Sequence, residues 1–172
     1  DLKRVFSAGQ SFPIEGVSGV SIETLSTPHD AVDPVGYIVE HDGFRLGVFT
    51  DFGHPFDELG VRMSTFDAML LETNYDETML AEGPYPYVLK QRIAGDRGHL
   101  SNIDAAGMLA ATGRGRLRRV FLSHLSEENN HPDRVYETIQ ETLDPDHYHA
   151  IDLFLTNRGH PFPMVSLKEL SE

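Results

Sequence analysis

Four polar residues stand just past short apolar or glycine-rich stretches. His29 follows VSIETLSTP, Asp51 follows FRLGVFT, His124 follows RRVFLS, and His99 follows the bend IAGDRG. Strand ends that feed loops are where α/β folds commonly place chemistry. Imidazole and carboxylate together suit zinc, manganese or iron. The two oxygens of Asp51 could bridge two cations. Glu72 closes the apolar run MLLE, and a buried acid there needs a partner because an unpaired buried charge is costly. A histidine would serve, and the pair would tune that histidine for acid–base work. His99, next to Ser101 and Asn102 at a helix start, is the candidate proton donor, and that helix start would favour an anionic group. Lys90, Arg92 and Arg97 form a local cationic cluster that could grip phosphates. Each feature has a plainer alternative: a solvated loop histidine at His29, a turn aspartate at Asp51, a backbone-bonded strand-end histidine at His124, a solvated face for the cations.

The elements that would position these groups read as strands first, then helix–strand units. VSGVSIETLS (17–26) alternates as a half-buried strand does. GYIVE (36–40) and FRLGVFT (44–50) flank Asp42-Gly43, a hairpin-turn signal. DAMLLET (67–73), RRVFLSH (118–124) and IDLFLT (151–156) read as further strands. The stretch 74–96 is helix-like but broken by Gly83, Pro84 and Pro86. SNIDAAGMLAATG (101–113) has a cap at Ser101, an acid at the capping-box offset and a terminating Gly113. PDRVYETIQETL (132–143) starts at a proline, as helices can. His147-Tyr148-His149 reads as the loop before the last strand, and His41, His54, His131 and His160 lack matching contexts. Arg114, Arg116, Arg118 and Arg119 form a second cationic cluster, expected on the surface at the strand end far from His124. An antiparallel sheet followed by helix–strand units indicates an α+β fold or a layered sandwich.

The chain has 172 residues, enough for one domain with a real core. It has no cysteine, so thiolate catalysis and Cys-ligated metal sites are excluded. A formal charge of −13 argues against broad non-specific nucleic-acid binding, though not against a local basic groove. No apolar run approaches the roughly 20 residues of a membrane helix. No signal peptide is visible, so a cytoplasmic protein is expected. The start, without Met, reads as mid-domain sequence.

The succession PHDAVDPVGYIVEHDG, VFTDFG, LLETNYD, YPYVLKQRIAGDRGHLSNIDAA and FLSHLSEENN closely resembles the C-terminal half of metallo-β-lactamase-fold hydrolases. It looks most like the WalJ-type exonuclease-like branch, related to tRNase Z and to phosphonate-pathway phosphodiesterases. The likeness spans roughly residues 15–160. It implies a four-layer αβ/βα sandwich of which residues 1–172 form the C-terminal part. It also implies two divalent ions, zinc or manganese and less commonly iron, flanking a hydroxide that attacks phosphorus. His29, Asp51 and His124 match metal ligands, with Asp51 bridging. Glu72 and His99 match a pair assisting phosphodiester cleavage, and Ser101 and Asn102 match positions near substrate.

The superfamily signature His-x-His-x-Asp-His is absent from these residues. Each ion of a pair would then keep one private ligand plus Asp51, short of the three or four typical of zinc. The remaining sheet would also show a bare apolar face. The expectation is therefore a partner that carries the N-terminal half, in the same chain or another, or a homodimer. Three functions fit: a dinuclear nuclease-like phosphodiesterase, such as a 5′-to-3′ exonuclease on DNA; a hydrolase of small phosphodiesters; or a non-catalytic interaction module.

Overall fold

Hydrophobic alternation in the first fifty residues builds a meander. The computed structural model describes residues 5–113 and 115–166. Strands β1 (Ser11–Pro13), β2 (Val20–Ser26), β3 (Val35–His41) and β4 (Phe44–Phe49) pair antiparallel in sequence. The β3–β4 hairpin turns on Asp42 and Gly43, both at positive φ (52° and 80°), as a tight two-residue turn of primed type requires. Strands β5 (Ala68–Glu72), β6 (Arg119–Ser123) and β7 (Asp152–Leu155) then add in parallel, giving one seven-stranded sheet in the order β1 to β7. Parallel neighbours need crossovers. These are α1 (Asp57–Met63) between β4 and β5; α2 (Glu77–Glu82), α3 (Tyr87–Ile93) and α4 (Asn102–Thr112) between β5 and β6; and α5 (Pro132–Thr142) with α6 (Pro145–Ala150) before β7. The expected α+β architecture is therefore present.

Period-two side chains divide the sheet into two unlike faces. One face presents Leu25, Ile38, Phe49, Met69, Leu71, Val120 and Leu122 to Leu59 and Met63 of α1, Leu109 of α4 and Ile139 of α5, and all of these are buried. The opposite face carries Ile22, Val39, Leu46, Val48, Leu70, Phe121 and Phe154, all only half-buried. Phe162 covers one end of it, packing edge-on against Phe121 and Phe154 with ring centroids 5.6 and 5.4 Å apart. The apolar face expected to be bare is thus half-buried among the described residues.

Ser101 caps α4 by accepting from the Asp104 N–H at 3.0 Å, and Gly113 ends the helix at φ 58°. The arginine-rich segment and the histidine tract each depart in part from the sequence reading. Arg116 and Arg118 are exposed, as expected of the cluster, though the Arg116 guanidinium is paired, holding both oxygens of Asp67 at 2.8 Å and the Gly43 carbonyl at 2.9 Å. Arg119 is buried and bonds the Ser166 carbonyl. Arg114 lies outside the described residues. The tract His147-Tyr148-His149 is not a loop but half of α6, whose first turn is set by Asp144 accepting from the His147 N–H at 3.0 Å and by Pro145. A six-residue helix is too short to show periodicity. The same brevity hid β1, and Gly60 inside α1 obscured the Leu59–Met63 spacing.

Two glycines in the sheet are required by neighbouring rings. A Cβ on Gly47 would lie 2.6 Å from the buried Phe66 ring, and one on Gly36 would strike the Phe49 ring. Gly47→Ala should therefore overpack the core and destabilise the protein by about 1–3 kcal/mol. An unchanged midpoint in denaturant titration would refute the packing described.

Candidate metal centre

Because β4 to β7 run parallel, their carboxyl ends share one edge of the sheet, and their exit loops meet there. Asp51 leaves β4 and His124 leaves β6, and both sit at φ 61°. A non-glycine residue held there stores on the order of 1–3 kcal/mol, and such strain clusters at functional sites. His124 is steadied from behind: its carbonyl accepts from Asn74 Nδ2 at 2.8 Å, and the Ser126 N–H donates to the Asn74 carbonyl at 2.9 Å.

Glu72, the last residue of β5, is fully buried. Its Oε1 accepts from His99 Nδ1 at 2.7 Å and His124 Nδ1 at 2.9 Å, and its Oε2 accepts from the Phe52 N–H at 3.0 Å. Burial alone would raise its pKa, but hydrogen bonds from His124 and His99 outweigh that and hold the carboxyl below its ordinary 4.5. The same bond from Glu72 raises His124 above the ordinary imidazole value. His29 is fixed from two sides. Its Nδ1 donates to the Gly98 carbonyl at 2.8 Å, and its own carbonyl accepts two bonds from Arg97 at 3.0 and 2.8 Å. The β-carbon that any other residue would bring to position 98 would run into the Arg92 and Ile93 carbonyls, so glycine is required for this close approach.

Asp51 lies at the focus of the three rings. Its Oδ1 is 3.8 Å from His29 Nε2, 3.8 Å from His99 Nδ1 and 3.7 Å from His124 Nδ1. Adjacent rings stand 5.3 Å apart (His29–His99) and 5.2 Å apart (His99–His124). Donor atoms of Asp51, Glu72, His99 and His124 all lie within 4.8 Å of one another. Each Nδ1 is committed to an oxygen acceptor, and on His29 this leaves Nε2 as the nitrogen on the Asp51 side. Carboxylates and neutral imidazoles oriented from behind are a donor set that fits a divalent cation.

The cluster floors a cleft of about 840 Å³, lined also by Asp30, Asn74, Tyr85, Arg92, Glu127, Glu128 and Arg158. The other residues singled out in the sequence fall in different places. Arg92 lines the cleft, with its Nε on Asp30 at 2.6 Å. Lys90 gives its Nζ to the Ala81 carbonyl, and Arg97 braces His29. Ser101 caps α4, and Asn102 is buried in a reciprocal pair of bonds with Asn130 at 3.0 and 2.9 Å. His147 and His149 have the His-x-His spacing but belong to α6, where His147 is buried. Asn74 and Arg158 escaped the sequence reading, although each follows a strand end as Asp51 and His124 do.

Comparison with known proteins agrees with this geometry. A family profile described as Beta-lactamase superfamily domain matches residues 4–125. The chain is 34% identical over 141 residues to Exodeoxyribonuclease WalJ of Streptococcus pneumoniae, covering 82% of this chain and 51% of that protein. It is 30% identical over 144 residues to Exodeoxyribonuclease YycJ of Bacillus anthracis, covering 84% and 53%. The chain thus spans about half the length of the curated relatives it matches. Among solved structures, the metallo-beta-lactamase fold protein YhfI of Bacillus subtilis superposes with a TM-score of 0.59 at 14% identity, over 88% of this chain and 51% of that one. Among the described residues, no helix is long and apolar enough to cross a membrane.

The two pKa directions set a pH window for the metal-free protein. Stability from Glu72 is present above its ordinary 4.5 and is lost as pH falls through its lowered pKa. Stability from His124 is present below its ordinary 6.5 and is lost as pH rises through its raised pKa. The stability difference between the protein and its Glu72→Gln variant should therefore be widest between pH 4.5 and 6.5 and narrow on both sides. Denaturant titrations across pH would show this, and a flat difference would contradict the shared hydrogen bonds.

Proposed function

Because this chain belongs to the beta-lactamase superfamily and shares the metallo-beta-lactamase fold, we propose that it forms part of a metal-dependent phosphodiesterase acting on nucleic acid. The observation that carries this reading is the convergence of three histidines and two carboxylates on one cleft at the carboxyl edge of the sheet. That the matched relatives are named exodeoxyribonucleases supports DNA as substrate. The finer assignment is a dinuclear centre of zinc or manganese, with 5′-to-3′ digestion.

In this reading Asp51, His29 and His124 would hold the divalent cations. When bound, divalent cations supply Lewis-acid activation of the phosphodiester and of the attacking water. Every other task falls to the chain. The Gly98 carbonyl and Glu72 fix which ring nitrogen of His29 and His124 faces the cleft. Glu72 likewise orients His99, which gives a proton to the leaving oxygen or steadies charge on the phosphoryl oxygens. Arg92 lies on the cleft wall where a phosphate would enter, held in place by Asp30. Arg97 supports His29 through its carbonyl, and Lys90, Ser101 and Asn102 are engaged outside the cleft.

Residues 1–172 are, in this proposal, the C-terminal part of a single sandwich domain. The half-buried apolar face of Ile22, Leu46, Leu70 and Phe121 is where a second sheet packs. That remaining part would supply the further ligands. A small phosphodiester is the second reading, favoured by the acidic residues Asp30, Glu127 and Glu128 around the cleft.

His99→Ala in the full-length protein should lower kcat by about 10²–10⁴-fold while leaving metal content intact. Asp51→Ala should instead lose metal. Elemental analysis beside kinetics separates the two roles, and equal metal loss in both variants would make His99 a ligand. For the substrate, apparent affinity for DNA should fall steeply with salt, whereas an uncharged-tailed aryl phosphodiester should respond weakly. Turnover confined to the aryl compound would select the small-molecule reading.

A further inference from the structure

Two cations line the histidine cleft among the described residues, Arg92 and Arg158. The Arg92 guanidinium is committed to Asp30 at 2.6 Å. Arg158 has no carboxylate partner among the described residues. It also forms part of the wall of an adjoining cleft of about 500 Å³, together with Asn130, His131, Thr156 and Asn157. The two clefts share His124, Leu125, Ser126, Glu127 and Arg158, so they adjoin at the His124 loop.

The position of Arg158 follows from the sheet. Strand β7 runs parallel to β6, so its exit emerges beside His124. Thr156 anchors that exit, its N–H and Oγ1 both donating to the Leu122 carbonyl at 2.9 and 3.1 Å. A tight turn follows, closed by the Asn157–His160 bridge and by the Gly159 N–H donating to Asn157 Oδ1 at 2.7 Å. Arg158 occupies that turn. Glu127 and Glu128 line the same wall, and their charge opposes any polyanion that crosses it. An uncommitted guanidinium offsets that repulsion, and its planar fork matches phosphate oxygens.

We propose that Arg158 binds the backbone phosphate next to the scissile one, with the second cleft taking the adjoining nucleotide. This deepens the nuclease reading above and rests on it. Arg158 thereby makes the site selective for a strand over a lone phosphodiester.

The test uses the metal-loaded full-length protein, its Arg158→Ala variant and its Arg158→Lys variant. Binding to a non-hydrolysable phosphorothioate single strand is followed by fluorescence anisotropy across salt, beside steady-state cleavage of ordinary single-stranded DNA. The alanine variant should raise KM about five- to tenfold, with the loss falling on KM rather than kcat. The slope of log affinity against log salt should become shallower by about 0.7, the value for one phosphate contact on a single strand. Lysine should retain the slope because it keeps the charge. A wild type that cleaves DNA while the alanine variant keeps its KM and slope overturns the role of Arg158 and leaves the nuclease reading standing. A wild type that cleaves neither DNA nor an aryl phosphodiester overturns the catalytic reading, and the anisotropy series then judges Arg158 separately: an unchanged slope, or no binding by the wild type, overturns it too.

Discussion

The buried carboxylate of Glu72 is the interaction on which the site depends. It sits at the end of an apolar strand with no exposure to water, where an unpaired charge would be costly. Three donors meet it: two imidazoles on one oxygen and the Phe52 amide on the other. These donors come from three different connections, so one acid ties together the loops after β4 and β6 and the segment leading into α4. Removing it would leave two rings without an orienting acceptor and an amide without a partner. The charge cost that makes this acid improbable in a core also makes the arrangement specific.

Backbone strain is concentrated at the same edge. Asp51 and His124 both hold left-handed backbone conformations just past their strands. Asp and His tolerate that region better than branched residues, but it still costs energy. The surrounding bonds supply the compensation, from Asn74 behind His124 and from the Thr27 hydroxyl donating to the Asp51 carbonyl. Parallel strands make the convergence possible, since every exit loop from β4 to β7 emerges on one edge.

Charge is handled locally rather than globally. The chain carries −13 overall, and most of its arginines are spent inside it. Arg116 neutralises Asp67, Arg62 meets Glu23 at 2.6 Å, and Arg92 meets Asp30. These pairs hold loops in register but leave little positive charge for a substrate. A polyanion meeting this surface therefore depends on the few cations that the fold leaves uncommitted.

The sequence alone determined a good deal. Alternating hydrophobicity marked β2 to β4, continuous apolar runs marked β5 and β6, and Ser101 with Gly113 bounded α4, because these signals are local. It also marked His29, Asp51, Glu72, His99 and His124, through the contexts in which they stand. It missed α1, α6 and β1, which are too short or too glycine-broken to show a period. It could not tell Lys90, Arg97, Ser101 and Asn102, whose side chains are tied to other parts of the fold, from residues that line the cleft, because that depends on which way a side chain leaves its element. Only the tertiary structure decided that one oxygen of Glu72 serves two rings, that Asp51 lies within 3.8 Å of all three histidines, and that Arg158 shares their cleft. The reason is physical: residues 29, 51, 72, 99, 124 and 158 are far apart in the chain, and only the parallel sheet brings their strand ends and loops to one place.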